Sequence, residues 1–159
     1  MSNAATRAAV GSEMPDLTQE LLAGSDTELA PEHIRRVFEQ YGERMTAGDT
    51  DGIMALFALD AVIRDPVTGP ERRGHDEIRR FYQDSFDTMG GAIDMRLDGA
   101  VRIVGNYGAA AYIARTTSHE TVYRSETLDV MTFNDAGLIT SMMAYWGPAN
   151  FSLDADHHA

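Results

Sequence analysis

The apolar residues of this chain change their repeat once, near residue 90, and that change constrains the fold more than any other feature. Before it, hydrophobic residues recur every three or four positions, as on one face of a helix; after it they alternate, as on strands. Helices first and an antiparallel meander afterwards predicts an α+β fold. A chain of 159 residues with 43% hydrophobic content suffices for one packed domain and is too short for two of ordinary size. Residues 1–30 read as a flexible N-terminal extension with one short apolar cluster at Leu17, Leu21 and Leu22, 31–152 as the domain, and 153–159 as a disordered tail.

Pro31 suits the first position of a helix, and Ile34, Val37, Phe38, Tyr41 and Met45 follow at helical spacing, which puts Tyr41 on a buried face. Gly48 reads as its C-terminal cap, and 49–59 as a second helix with Ile53, Leu56 and Phe57 inward. A short extended piece over 61–64 leads to Asp65, which Pro66 biases toward extended geometry. After the loop marked by Gly69, Pro70 and Gly74, the positions Ile78, Phe81, Tyr82 and Phe86 predict a third helix over 76–86, ended by Gly90 and Gly91. Strands are expected over 93–104, 107–118, 121–133 and 138–146, separated at Gly105 with Asn106, near His119 and at 134–137.

The formal charge of −12 disfavours nucleic acid and anionic membrane surfaces as partners, because phosphate must be met by clustered cations. No cysteine is present, so disulfides and thiolate metal sites are excluded. No apolar run reaches the roughly 20 residues of a membrane helix, and the N-terminus lacks the basic-then-apolar order of a secretion signal, so a cytoplasmic location is the default. Ser2, Asn3 and Ala4 resemble an expression scar. His157 and His158 are adjacent in a polar terminus, and no metal site is assigned to them.

Four polar residues stand out from this pattern. Tyr123, Thr127, Asp129, Met131 and Phe133 share one face of a strand, and Leu128 and Val130 the other, so Asp129 lies in an apolar row. A carboxyl buried there either pairs with a cation or backbone amide, or raises its pKa and stays protonated as a hydrogen-bond donor. Asp65 before proline reads equally as a local turn acceptor. Tyr41 and Tyr82 fit satisfied core tyrosines as well as functional ones. Met142, Ala144 and Trp146 alternate on one face of the last strand, which suits a pocket wall or a plain core.

These residues are joined by the order of the segments around them. ALFALDAVIRDPVTG at 55–69, RRFYQDSF at 79–86, LDVMTFNDAG at 128–137 and MMAYWGPAN at 142–150 resemble, in family order, the ketosteroid isomerases, or steroid delta-isomerases, of the nuclear-transport-factor-like superfamily. The resemblance covers 31–151. It places Asp65 on the family's catalytic base, Tyr41 on its oxyanion tyrosine, Asp129 on its protonated aspartic acid and Tyr82 on the tyrosine that supports the first. Phe57 falls where some members have a further tyrosine. Arg64 replaces an acidic residue common beside the base, and 90–118 aligns loosely.

The resemblance implies a cone-shaped, curved, mostly antiparallel sheet packed with three N-terminal helices, a cystatin-like or SnoaL-like roll, and a homodimer through the outer sheet face. It implies a cofactor-free isomerase that moves a C=C bond into conjugation with a ketone. Asp65 would shuttle the proton while Tyr41 and Asp129 hold the enolate oxygen. The ligand would be a small hydrophobic ketone, a steroid by resemblance, lined by Met45, Phe57, Tyr82, Phe86, Met142, Ala144 and Trp146. Neither metal nor nucleotide is called for, and no Gly-rich phosphate loop is present. The competing readings are another enzyme on the same roll, such as a polyketide cyclase or an epoxide hydrolase relative, and a noncatalytic small-molecule-binding module.

Overall fold

The computed structural model describes residues 15–154; the Ser2 to Ala4 opening and the His157, His158 pair lie outside the described residues. Helix α1 (Asp16–Leu22) carries the apolar cluster of the extension, and Leu29, just beyond it, is buried in the domain core. Helix α2 (Pro31–Ala47) begins with proline at its N-terminal turn and buries Ile34, Val37, Phe38, Tyr41, Gly42 and Met45. Its end is set by Gly48 at φ 63°, a left-handed geometry that glycine adopts without a Cβ penalty.

The second helix is shorter than the sequence predicts. Helix α3 (Thr50–Met54) is capped by the Asp49 side chain, which accepts from the Gly52 amide at 2.9 Å, and it stops before Phe57. The chain then forms strand β1 (Phe57–Arg64). The spacing of Ile53, Leu56 and Phe57 suggests a helix over 49–59, but β1 runs parallel to strand β7 (Ile139–Tyr145), and that pairing overrides the local pattern. Phe57 is therefore the first residue of a strand and not part of a helix.

Strand β2 (Arg72–Arg73) pairs with β1 and leads directly into helix α4 (Gly74–Thr88), where Glu77 accepts from the Arg73 amide at 2.7 Å. The inward stripe of α4 is Ile78, Tyr82 and Phe86, one residue per turn. The strand expected over 93–104 is broken into β3 (Asp94–Leu97) and β4 (Arg102–Val104) by a turn with Gly99 at φ 92°. Both pieces pair with β5 (Tyr107–Ser118), which with β6 (Thr121–Phe133) forms the long central hairpin. A 3₁₀ turn (Pro148–Asn150) and β8 (Phe151–Leu153) finish the described chain.

The sheet is curved, unclosed and mostly antiparallel, with β2-β1-β7-β6-β5-β3 in order. Along its second edge β6 pairs with β7 at Leu128–Phe133 and then with β8 at Tyr123–Ser125, so the chain between β7 and β8 leaves the sheet beside residues 126–127. Helix α2 crosses β5 where Gly108 stands; a Cβ there would lie 2.6 Å from the Phe38 ring and 2.9 Å from Ile34. Glycine is what permits the approach. The core between helices and sheet includes Phe38, Ile34, Ile63, Ile139 and Met131, each burial stabilising by about 1.5–3 kcal/mol. No helix among the described residues is long and apolar enough to cross a membrane.

Candidate active site

Asp65 and Asp129 are brought together by two register relationships that meet at Ala144. Strand β1 pairs Arg64 with Met143, and just beyond it the Val67 amide donates to the Ala144 carbonyl at 2.8 Å. On the other side Ala144 is the register partner of Asp129. The backbones carrying the two aspartates are thus two strand spacings apart, about 10 Å. The Asp65–Pro66 peptide bond is cis.

Both aspartates line a cavity of about 270 Å3 with Tyr41, Tyr82, Met45 and Trp146. Tyr41 reaches it from α2 and Tyr82 from α4, each on the buried stripe that its helical spacing dictates. Their hydroxyls are 3.0 Å apart and hydrogen-bonded. The Tyr82 hydroxyl also lies 3.9 Å from Met142 Sδ. Edge-on contacts of the Tyr41 ring with Tyr82 and Tyr112, at 6.2 and 6.1 Å between centroids, fix its orientation.

The two carboxyls have opposite surroundings. Asp129 is 2% exposed, and no salt bridge among the described residues includes it. Burial pushes its carboxyl well above the usual carboxylate range, and the neighbouring Asp65 charge pushes it further. Asp65 is also raised by desolvation, but two groups oppose this: the Trp146 indole N–H, donating to Oδ1 at 2.5 Å, and the positive charge of Arg72. Arg72 sits with its guanidinium 4.4 Å from the centre of the Phe81 ring, another wall of the cavity. Asp65 thus has partners that favour its charged form, whereas the causes acting on Asp129 all favour its neutral form. Burial and then Tyr82, Asp129 and Asp65 raise Tyr41 well above the ordinary tyrosine range, so its hydroxyl keeps its proton.

Of the residues singled out from sequence, Tyr41, Asp65, Asp129, Met45, Tyr82 and Trp146 line the cavity. Phe57, Phe86, Met142 and Ala144 do not; all four are buried in the packed interior behind it. Their inward-facing pattern is the same, but a core position and a cavity wall differ only in whether a neighbour fills the space opposite. Sequence reasoning missed Phe81, Ser85, Met89, Ile93, Met95 and Phe151. Phe81 had a signal, being on the apolar side of the third helical pattern beside Tyr82. Ala114, Thr116, Ser125 and Thr127 were missed as well, although the last two sit on the Asp129 face by simple alternation.

A family model described as a SnoaL-like domain matches residues 37–142. A steroid delta-isomerase of Nocardioides simplex is 33% identical over 117 residues, which cover 74% of this chain and 92% of that protein. Among solved structures, SalBIII, an epoxide hydrolase/cyclase-like enzyme with a role in pyran ring formation in the polyether salinomycin, is similar with a TM-score of 0.69 and 26% identity, over 77% of this chain and 98% of its own. Sequence, architecture and relatives agree, and the chain belongs to the SnoaL-like enzymes of the ketosteroid-isomerase-like family.

Proposed function

We propose that this protein is a cofactor-independent isomerase that converts a 3-oxo-Δ5-steroid, or a ketone of similar shape, to its conjugated Δ4 isomer. The observation that carries the reading is the meeting, in one apolar cavity, of Asp65, a carboxyl whose rise by burial is opposed by Trp146 and Arg72, with two buried groups whose protonated forms burial favours, Tyr41 and Asp129. Pairs of titratable groups pushed apart by their surroundings divide the acid and base work between them. The steroid delta-isomerase relative supports the substrate class.

In this reading Asp65 takes the proton from the carbon between the ketone and the C=C bond. The electron pair passes into a dienolate, with negative charge on the carbonyl oxygen. Tyr41 and Asp129 donate to that oxygen, and more strongly as the charge develops, so they lower the barrier instead of merely holding the ketone. Either hydroxyl of the Tyr41–Tyr82 pair can donate in their shared bond; in this reading Tyr82 takes the donor role once substrate is bound, which leaves the Tyr41 proton for the substrate. Asp65 then returns the proton two carbons further along the dienolate. Proton and electron count balance with a single carboxylate.

A second reading, an epoxide-opening or cyclising enzyme, draws on the likeness to SalBIII and could use Asp129 as acid and Asp65 as base. Tyr41, held by its bond to Tyr82, favours the isomerase, since it adds a second buried donor beside Asp129 for an enolate oxygen. An Asp, Arg, Asp arrangement is not built here: Arg64 pairs with Glu71 at 3.4 Å, and no arginine lines the cavity among the described residues. The test is the ultraviolet absorbance gained as 5-androstene-3,17-dione becomes conjugated, with wild type and Asp65→Asn compared. Conversion lost by about 10²–10⁴-fold in the variant supports proton shuttling; no conversion by wild type rejects the isomerase.

We further propose a homodimer through the outer sheet face. Leu128 and Tyr145 are register partners on β6 and β7 and remain 42% and 49% exposed, so an apolar cross-strand pair faces outward.

A further inference from the structure

Two hydroxyls in the cavity wall have no part in the chemistry above. Ser125 Oγ and Thr127 Oγ1 are closed off from solvent and have no hydrogen-bond partner among the described residues, and both residues line the cavity. A buried hydroxyl left unpaired bears its full desolvation penalty, and folded proteins keep few of them without a reason. Of the other hydroxyls lining the cavity, Ser85 donates to the Phe81 carbonyl at 2.8 Å, and Tyr41 and Tyr82 bond each other.

Their placement follows from strand geometry. Residues 125, 127 and 129 share the inward face of β6, so a row of polar groups leads away from Asp129. With a rise of about 3.4 Å per residue, Thr127 stands about 7 Å and Ser125 about 14 Å along the strand from Asp129. The register partner of Ser125 on β5 is Ala114, a small residue, and its partner on β8 is Phe151; both line the cavity beside it. Phe151 in turn packs on Trp146 with ring centres 5.8 Å apart. Among the residues lining the cavity the only ionisable side chains besides the tyrosines are Asp65 and Asp129, and no cationic side chain is among them.

We propose that Ser125 and Thr127 form a distal polar subsite that takes a second, uncharged oxygen of the substrate, a keto or hydroxyl group at the end of a rigid apolar skeleton opposite the ketone held by Tyr41 and Asp129. A hydroxyl side chain both donates and accepts, so the pair serves either group. The absence of a cation excludes a carboxylate or sulfate there. The inference rests on the isomerase reading only for which end of the ligand meets Asp65.

The test compares 5-androstene-3,17-dione with 5-androsten-3-one, which keeps the reacting ketone and double bond and lacks the distal oxygen. KM and kcat are measured for wild type, Ser125→Ala and Thr127→Val. Each substitution is expected to raise KM for the dione about three- to tenfold more than for the deoxy ketone, the size of one hydrogen bond. Equal effects on both substrates, or no preference of the wild type for the dione, overturn the subsite and leave the isomerase intact. Conversely, if wild type converts neither ketone, the isomerase reading falls and the subsite is decided by fluorescence titration with equilenin and 17-deoxyequilenin. Tighter binding of equilenin, lost in the two variants, upholds it; equal binding, or none, overturns it. Melting of the free proteins separates a structural role. Since neither hydroxyl has a partner in the free chain, both variants should melt no lower than wild type, and a clearly lower melting temperature would also overturn the assignment.

Discussion

The Trp146 indole N–H donates to Asp65 Oδ1 at 2.5 Å across 81 positions of sequence. It is the hydrogen bond that opposes the desolvation of Asp65, and Asp129 has no equivalent. The difference between a base and a neutral acid in this cavity therefore depends on a residue just past the end of β7.

Replacing that donor should be read in a pH profile. Trp146→Phe keeps an aromatic ring against Phe151 and removes the N–H, so Asp65 holds its proton to higher pH. The acid limb of kcat/KM should move upward, and the activity loss should be roughly several-fold greater near pH 5 than near pH 8. A uniform loss at all pH values would mean that Trp146 acts only by packing.

Asp129 makes stability pH-dependent with a definite sign. Its folded-state pKa lies well above the unfolded value of about 3.9, so between the two the native chain binds more protons than the unfolded one. Stability then falls as pH rises from about 4 through that window, by at most about 1.4 kcal/mol per pH unit for this group. Asp65, also raised, adds to the same trend. Urea unfolding should show Asp129→Asn losing less stability than wild type between about pH 5 and pH 8, and parallel curves would place the ionisation elsewhere.

Gly108 is a stability prediction independent of function. A methyl group at this position meets Phe38 and Ile34 closer than van der Waals contact allows, and both belong to a helix held along its length. Gly108→Ala should destabilise by about 1–3 kcal/mol, the usual range for overpacking. Chemical denaturation measures it; an unchanged midpoint would show that α2 can lift from β5.

The outer face can be tested by mass. Leu128→Asp places a charge opposite Tyr145 on the exposed side of the sheet, away from Asp129 by alternation. If the proposed dimer uses this face, light scattering should find a dimer for wild type and a monomer for the variant. A dimer in both would move the interface to another surface.

Much of the architecture was legible because period encodes direction. The strands expected over 107–118 and 121–133 are found with those bounds, and the inward faces of Tyr41 and Tyr82 follow from helical spacing alone. Residues 61–64 are extended as expected, but 57–59 belong to the same strand and not to the helix that the spacing of Ile53, Leu56 and Phe57 suggests, because the parallel partner that makes them a strand lies at Ile139–Tyr145. Likewise 93–104 reads as continuous until the turn at Gly99 divides it.

By itself, the sequence determined which residues face inward, that a carboxyl on β6 would have to sit among apolar neighbours, and that helices would precede the sheet. Only the tertiary structure decided that Asp65, Asp129 and Trp146 share one cavity while Phe57, Phe86, Met142 and Ala144 pack behind it. The physical reason is that periodicity specifies a direction relative to one element. Whether the space in that direction is filled or open depends on the curvature of a sheet whose strands come from distant parts of the chain.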